Sequence, residues 1–400
     1  MRALLLIAVA ATAYAQNGTQ RPAGTGPPPG PNGKYCLTST GIRAEFIPYG
    51  ASLTNLFIHD KHGIGRDIVL GFDNATAYSD PSWHPHLNGV PGRYANRIKN
   101  GTFTIDNSTY HTDLNEKGLD TLHGGSNGWD YRTWTVEAYT TDSITFSLRD
   151  DDGEMGFPGD VLAFVTYTLT PYQWHLSMNA LSLTKNTPIM MTSHTYWNLD
   201  GFQNPQTPLA LNHTLHMPYA TRRIATDSIL IPTGEIRDNK RGQAFDFWSK
   251  PKQLGRDLSK PAMRGACGYN CTGYDNAFLF DDDGPAEWES MPVATLASKW
   301  SGIQVDVFTD QTAYQIYTCN NMNGTYPSLL LHPHFRLTTS QGPSPSSQPK
   351  ASSTTPLGPA LQRSTAASSW RCRTGSMASI IRSGIVRRGR SLGRRMARIT

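Results

Sequence analysis

The residues best suited to chemistry gather in one stretch, Thr192-Ser193-His194-Thr195-Tyr196-Trp197-Asn198-Leu199-Asp200-Gly201. Imidazole is the side chain whose unperturbed pKa, about 6.5, lets it take and give a proton near neutral pH. Tyr196 and Trp197 add flat apolar faces with polar edges, a surface that suits a sugar ring. His194 therefore reads as the acid–base centre of a carbohydrate site. A histidine packed by aromatics can equally be a core residue, so the choice rests on what the chain places beside it.

Four further segments are more polar than a strand or turn requires. Gly92-Arg93-Tyr94-Ala95-Asn96-Arg97-Ile98 joins two arginines and an amide, and Leu122-His123-Gly124-Gly125 sets a second histidine beside glycines that let backbone approach a ligand closely. Gly273-Tyr274-Asp275-Asn276 offers a carboxylate, and Ala313-Tyr314-Gln315-Ile316-Tyr317 an amide between aromatics on a strand. His84-Pro-His86 and His332-Pro-His334 have a spacing that two metal ligands can use, but no third ligand pattern accompanies them, and no metal is expected. There is no P-loop, no His-Glu-x-x-His zinc motif and no G-x-S-x-G nucleophile elbow. Nor is there a convincing carboxylate pair of the kind glycoside hydrolysis needs.

The elements that must hold these residues read as strands. Phe103/Ile105, Ile144/Phe146/Leu148, Val165/Tyr167/Leu169, Trp174/Leu176/Met178 and Ile303/Val305/Val307 alternate with polar neighbours, and Gly, Asn, Asp and Pro punctuate them. No apolar stripe runs at helical spacing. Residues 34–326 are predicted to form one all-β domain, a single large antiparallel sandwich.

The ends differ from this body. Arg2, the apolar run Leu4 to Ala11 and Ala13-Tyr14-Ala15 have the layout of a secretory signal peptide over residues 1–15. Residues 16–33 form a Gly/Pro-rich linker. Sequons at Asn17, Asn74, Asn100, Asn107, Asn212, Asn270 and Asn323 fit a glycosylated extracellular protein and place those asparagines on the surface. Cys36, Cys267, Cys271 and Cys319 are enough for two disulfides, with Cys267–Cys271 closing a small loop; their pairing is open. Residues 327–400 form a Ser/Pro/Arg-rich tail carrying twelve of the basic residues and no acid, which leaves 24 basic against 31 acidic residues before it. The overall charge of +5 thus comes from the tail and is not a nucleic-acid signal. No stretch is long and apolar enough to span a membrane.

Taken together and in order, G-R-Y-A-N-R-I, L-H-G-G, the Asp152–Gly159 segment D-G-E-M-G-F-P-G, V-T-Y-T-L at 165–169 and S-H-T-Y-W-N-L resemble the aldose 1-epimerase, or galactose mutarotase, family. Ile231-Pro232-Thr233-Gly234, Gly273-Tyr274-Asp275 and Tyr314-Gln315-Ile316-Tyr317-Thr318 continue the resemblance over roughly Cys36 to Tyr326. It implies a β-supersandwich fold and interconversion of the α and β anomers of a free aldose, with no cofactor and a monomeric chain. His194 matches the family's acid, and His123 a histidine that bonds the sugar and assists at the ring oxygen. Asn96 and Arg97 match a substrate-binding pair, Asp275 a carboxylate that takes sugar hydroxyls, and Gln315 a further binding amide. A hexose-phosphate epimerase of the same fold would want a phosphate-binding arginine cluster beyond Arg93 and Arg97.

The family's base is a glutamate in a C-terminal E-x-Q segment followed by D-x-x-N-x-P, and here no acid follows Asp310. Losing a positioned base costs about 10²–10⁴-fold. As written, the chain would then be a catalytically silent sugar binder. Read one frame over, however, codons for Ser369 to Gly384 can spell Val-Glu-Val-Gln-Asp-Trp-Ile-Asp-Gly-Ile-Asn-His-Pro-Glu-Trp, which contains that motif in order. The tail is thus expected to be disordered as a basic extension or translated out of frame. Transcript sequencing distinguishes the two: mature mRNA that keeps the present frame through Arg382 ends the second.

Overall fold

Alternation in the sequence becomes sheet. Val161–Thr170 and Gln173–Ser182 pair antiparallel along their whole length, and every second side chain of each is buried. The computed structural model describes residues 29–80, 86–281 and 291–320, together with the backbone of Ser376–Ala378, Gly384–Val386 and Arg394–Ile399. The signal-peptide segment, His84, His332, His334, the sequons at Asn17 and Asn323, and most of the tail lie outside these residues.

The architecture is all-β and a single large domain, with short 3-10 turns and no α-helix among the described residues. Nine strands make the largest sheet, in the order Lys252–Gln253, Thr214–His216, Ala294–Ala297, Gln304–Thr309, Arg394–Ile399, Gln173–Ser182, Val161–Thr170, Ser143–Asp150, Thr135–Tyr139. A five-stranded sheet runs Pro232–Asp238, Arg222–Thr226, Asp275–Leu279, Ala313–Tyr317, Ser376–Ala378. Four N-terminal strands between Tyr35 and Asp67 form a third sheet. Three short stretches of the tail thus lie as strands beside the body, Arg394–Ile399 between Gln304–Thr309 and Gln173–Ser182.

Where the sheets meet, aromatic rings fill the core. Tyr167 packs on Phe46 at 4.5 Å and on Trp174 at 6.0 Å between ring centres, and its hydroxyl donates to Ala51 O at 2.9 Å. Cys267 and Cys271 form a disulfide, while Cys36 and Cys319 are not joined to each other. All five described sequon asparagines, Asn74, Asn100, Asn107, Asn212 and Asn270, are exposed.

One polar network runs through this core. Arg93 is fully buried; its Nε donates to Asp150 Oδ2 at 2.8 Å, and its Nη1 donates to Pro158 O and Gly159 O at 2.8 and 2.9 Å. Asp150 also accepts from Trp129 Nε1 at 2.9 Å and from Arg132 Nη1 at 2.5 Å. The Asp152–Gly159 segment therefore acts as a cradle for Arg93, closed on itself by Gly159 N donating to Asp152 Oδ1 at 2.5 Å. Arg93 is structural, not one of two site arginines. Asp150→Asn leaves a guanidinium buried without its counter-charge, which costs about 3–5 kcal/mol; the urea midpoint should fall accordingly, whereas the exposed Asp151→Asn should move it little.

Candidate active site

Backbone pairing fixes the His194 stretch before any side chain acts. His194 N donates to Gly89 O at 2.9 Å and Asn88 N donates to His194 O at 3.0 Å. Asn88 secures the join: its Nδ2 donates to Leu70 O at 2.6 Å and its Oδ1 accepts from Tyr196 N at 2.8 Å. His194 is buried, with Tyr196 5.0 Å away between ring centres.

A second join carries the other histidine. His123 N donates to Asn96 O at 3.0 Å, and Asn96 N donates to His123 Nδ1 at 3.0 Å. This bond assigns the tautomer: Nδ1 is the acceptor, so a neutral His123 carries its proton on Nε2. The loop turns at Gly124, where a Cβ would sit 1.9 Å from Gly92 O. The close approach that this glycine permits is to the Gly92 backbone.

His123 and His194 meet edge to face, 5.2 Å between ring centres. Burial, then the neighbouring His86 and His194, hold His123 well below the usual imidazole range. Two adjacent imidazolium ions would repel, so a neutral His123 leaves room for a proton on His194.

The remaining predicted residues line a neighbouring cavity of about 520 Å³, whose wall includes Asn96, Arg97, Asp275 and Gln315. Asp275 and Gln315 sit on paired strands, and Gln315 Nε2 donates to Asp275 Oδ1 at 2.6 Å. The Gln315 Oε1 acceptor is buried with no partner among the described residues. Burial pushes the Asp275 carboxyl up to about 6, while Arg97 and Gln315 pull the other way. Asn96 links the two halves, bordering the cavity and bonding His123. Ile224, Leu230 and Ile236 add apolar surface to the lining. Donors, acceptors and an apolar face together suit a polyhydroxylated ring.

Sequence reasoning misses several participants. Glu116 accepts from Arg97 Nε and Nη2 at 2.6 and 3.0 Å and orients that guanidinium. His86, matched in the sequence to His84 as a metal ligand, instead packs on His123 and His194 with its Nδ1 against Asp130. The run Trp129-Asp130-Tyr131, soon after the Leu122–Gly125 loop, was the available signal. No group of side chains able to hold a metal occurs among the described residues. His86, Asn88, Asn96 and His123 all have left-handed backbones, with φ of 55°, 52°, 63° and 54°. Such conformations cluster at functional sites.

The two perturbed groups predict opposite pH behaviour. His123 has a folded pKa below its unfolded one, so its share of stability is present above about pH 6.5 and is lost as pH falls below it. Asp275 is raised from 3.8 to about 6, so folding is penalised increasingly as pH rises between those values and fully at neutrality. Asp275→Asn should therefore raise stability at pH 7.5 by on the order of 1–3 kcal/mol. His123→Asn, tolerated at a positive φ, should flatten the acid loss below pH 6.5. Urea melts at pH 5, 6 and 7.5 check both.

The family model for aldose 1-epimerase matches residues 33–345. A probable aldose 1-epimerase of Arthroderma benhamiae is 41% identical over 73% of this chain and 70% of its own length. The galactose mutarotase of Homo sapiens is 33% identical over 79% of this chain and 87% of its own. Among solved structures, a GalM/aldose epimerase homologue from C. elegans shares the fold with a TM-score of 0.71 at 23% identity, covering 92% of this chain and 98% of that one. Galactose 1-epimerase from Lactobacillus acidophilus shares it with a TM-score of 0.66 at 20% identity, covering 90% and 92%. By the match of the family model and of these relatives, the chain belongs to the aldose 1-epimerase family.

Proposed function

We propose that this protein is a secreted mutarotase that interconverts the α and β anomers of a free hexose such as galactose or glucose. The observation that carries the reading is the Asn96–His123 join, which puts the His123–His194 pair beside a cavity whose lining includes Asn96, Arg97, Asp275 and Gln315. In this reading the cavity groups hold the sugar hydroxyls and His194 protonates the ring oxygen as the C1–O5 bond opens. A base takes the anomeric hydroxyl proton, C1 rotates, and the steps reverse on the other face. His123, kept neutral, donates Nε2–H to the sugar and leaves the proton on His194. The export layout of residues 1–15 and the exposed sequons support an extracellular, glycosylated protein.

A second reading, a sugar-binding protein without catalysis, is favoured by one observation: no Asp or Glu follows Asp310. Polarimetry of freshly dissolved α-galactose and α-glucose distinguishes them. Acceleration by the wild-type chain, lowered about 10²–10⁴-fold in His194→Asn, supports the mutarotase. Sugar binding with no acceleration supports the binder. Lost affinity in Asp275→Asn and Gln315→Ala checks the cavity in either case.

A further inference from the structure

Resting on the reading of the cavity as a sugar site, we propose that it takes an aldose carrying an apolar substituent. The sugar lies at Asp275 and Gln315, and the substituent runs along Ile224 and Ile236. Mutarotation needs a free anomeric hydroxyl, so the substituent hangs from another hydroxyl of the sugar.

The five-stranded sheet supplies the floor. Ile236 stands opposite Ile224, Arg222 opposite Leu279, and Ala277 opposite Gln315. Residues paired directly, and residues two apart on one strand, share a face of the sheet. These side chains and Asp275 therefore stand on one face, and all of them border the cavity.

That face changes character from strand to strand. Asp275 and Gln315 stand on the adjacent strands Asp275–Leu279 and Ala313–Tyr317, and the buried Gln315 Oε1, without a partner among the described residues, marks the sugar end. Ile224 and Ile236 stand on the next two strands, Arg222–Thr226 and Pro232–Asp238. Neighbouring strands lie about 4.8 Å apart, so the strands of Gln315 and Ile236 are about 14 Å apart. A single pyranose, comparable in span to one aromatic side-chain ring, cannot touch both. The cavity's 520 Å³ falls within the range of about 300–1,000 Å³ that receives drug-sized ligands.

Core packing does not explain the apolar end. Every residue of Pro232–Asp238 is exposed, and Ile236 keeps 54% exposure. Pairing with Ile224 steadies the two strands, but it leaves about half of the Ile236 side chain uncovered. A second sugar there would bring hydroxyls that need partners. Ile224, Leu230 and Ile236 offer none, and Arg222 already has its Nε 3.5 Å from Asp281 Oδ1.

Calorimetric binding on the full chain tests this. The ligands are galactose, its n-butyl ethers at O2, O3, O4 and O6, and the galactosyl-galactose disaccharides linked through the same oxygens. At least one ether should bind about 10-fold or more tighter than galactose, and tighter than the disaccharide of the same linkage. Ile236→Ser, on an exposed strand, should abolish that gain, whereas Ile236→Leu should keep it. Asp275→Asn should weaken galactose and the ether together and so preserve their ratio. Galactose binding with no ether reaching the gain overturns the proposal and leaves the sugar site standing. So does a disaccharide that gains as much as its ether counterpart, or a gain that persists in Ile236→Ser. If neither galactose nor any ether binds, the reading of the cavity as a sugar site falls with the proposal.

Discussion

The site depends on one buried carboxylate that never touches it. Asp150 accepts from Arg93, Trp129 and Arg132. Arg93 opens the segment that ends in Asn96 and Arg97, and Trp129 and Arg132 bracket Asp130 and Tyr131. Two loops from different parts of the chain are thereby referred to a single point on the nine-stranded sheet. Burying such a charge is unfavourable unless its partners are well placed, so the network holds its parts in one arrangement or destabilises the fold. That is a way to give loops the precision of strands.

Around that anchor, positioning and reactivity are divided between kinds of structure. Asp275 and Gln315 stand on paired strands, where register fixes which side chains share a face. The histidines stand on loops, where backbone bonds to Gly89 and Asn96 replace the ladder. The cavity groups thus take their geometry from the sheet, and the histidines take theirs from loop-to-loop pairing. The electrostatics follow the same division: the cavity keeps a carboxyl raised by burial, while the loop cluster keeps an imidazole neutral beside another.

Much of this was legible in the sequence. Period-two alternation marked the long strands because their faces really are half buried, as in Val161–Thr170. The site residues His194, His123, Asn96, Arg97, Asp275 and Gln315 were each visible as polarity beyond what a strand or turn needs. What stayed hidden was pairing. Nothing in the one-dimensional string says that Arg93 turns inward to Asp150 while Arg97, four residues on, turns to Glu116. Nothing says that His86 belongs with Asp130, 44 residues away, and not with the nearby His84. Such contacts are made by tertiary closure, and local pattern carries no trace of them.

The left-handed residues of the site bear on which sequences it can accept at all. At His86, Asn88, Asn96 and His123 the backbone has already chosen a conformation that β-branched and bulky side chains resist. The residues that enter it most readily are glycine, asparagine, aspartate and histidine. Three of these are also carriers of protons and hydrogen bonds. Backbone shape therefore narrows the alphabet at these positions before any demand of catalysis is applied, and the letters that remain are largely the chemically useful ones. Drift at such positions would exchange one polar function for another more readily than it would erase function.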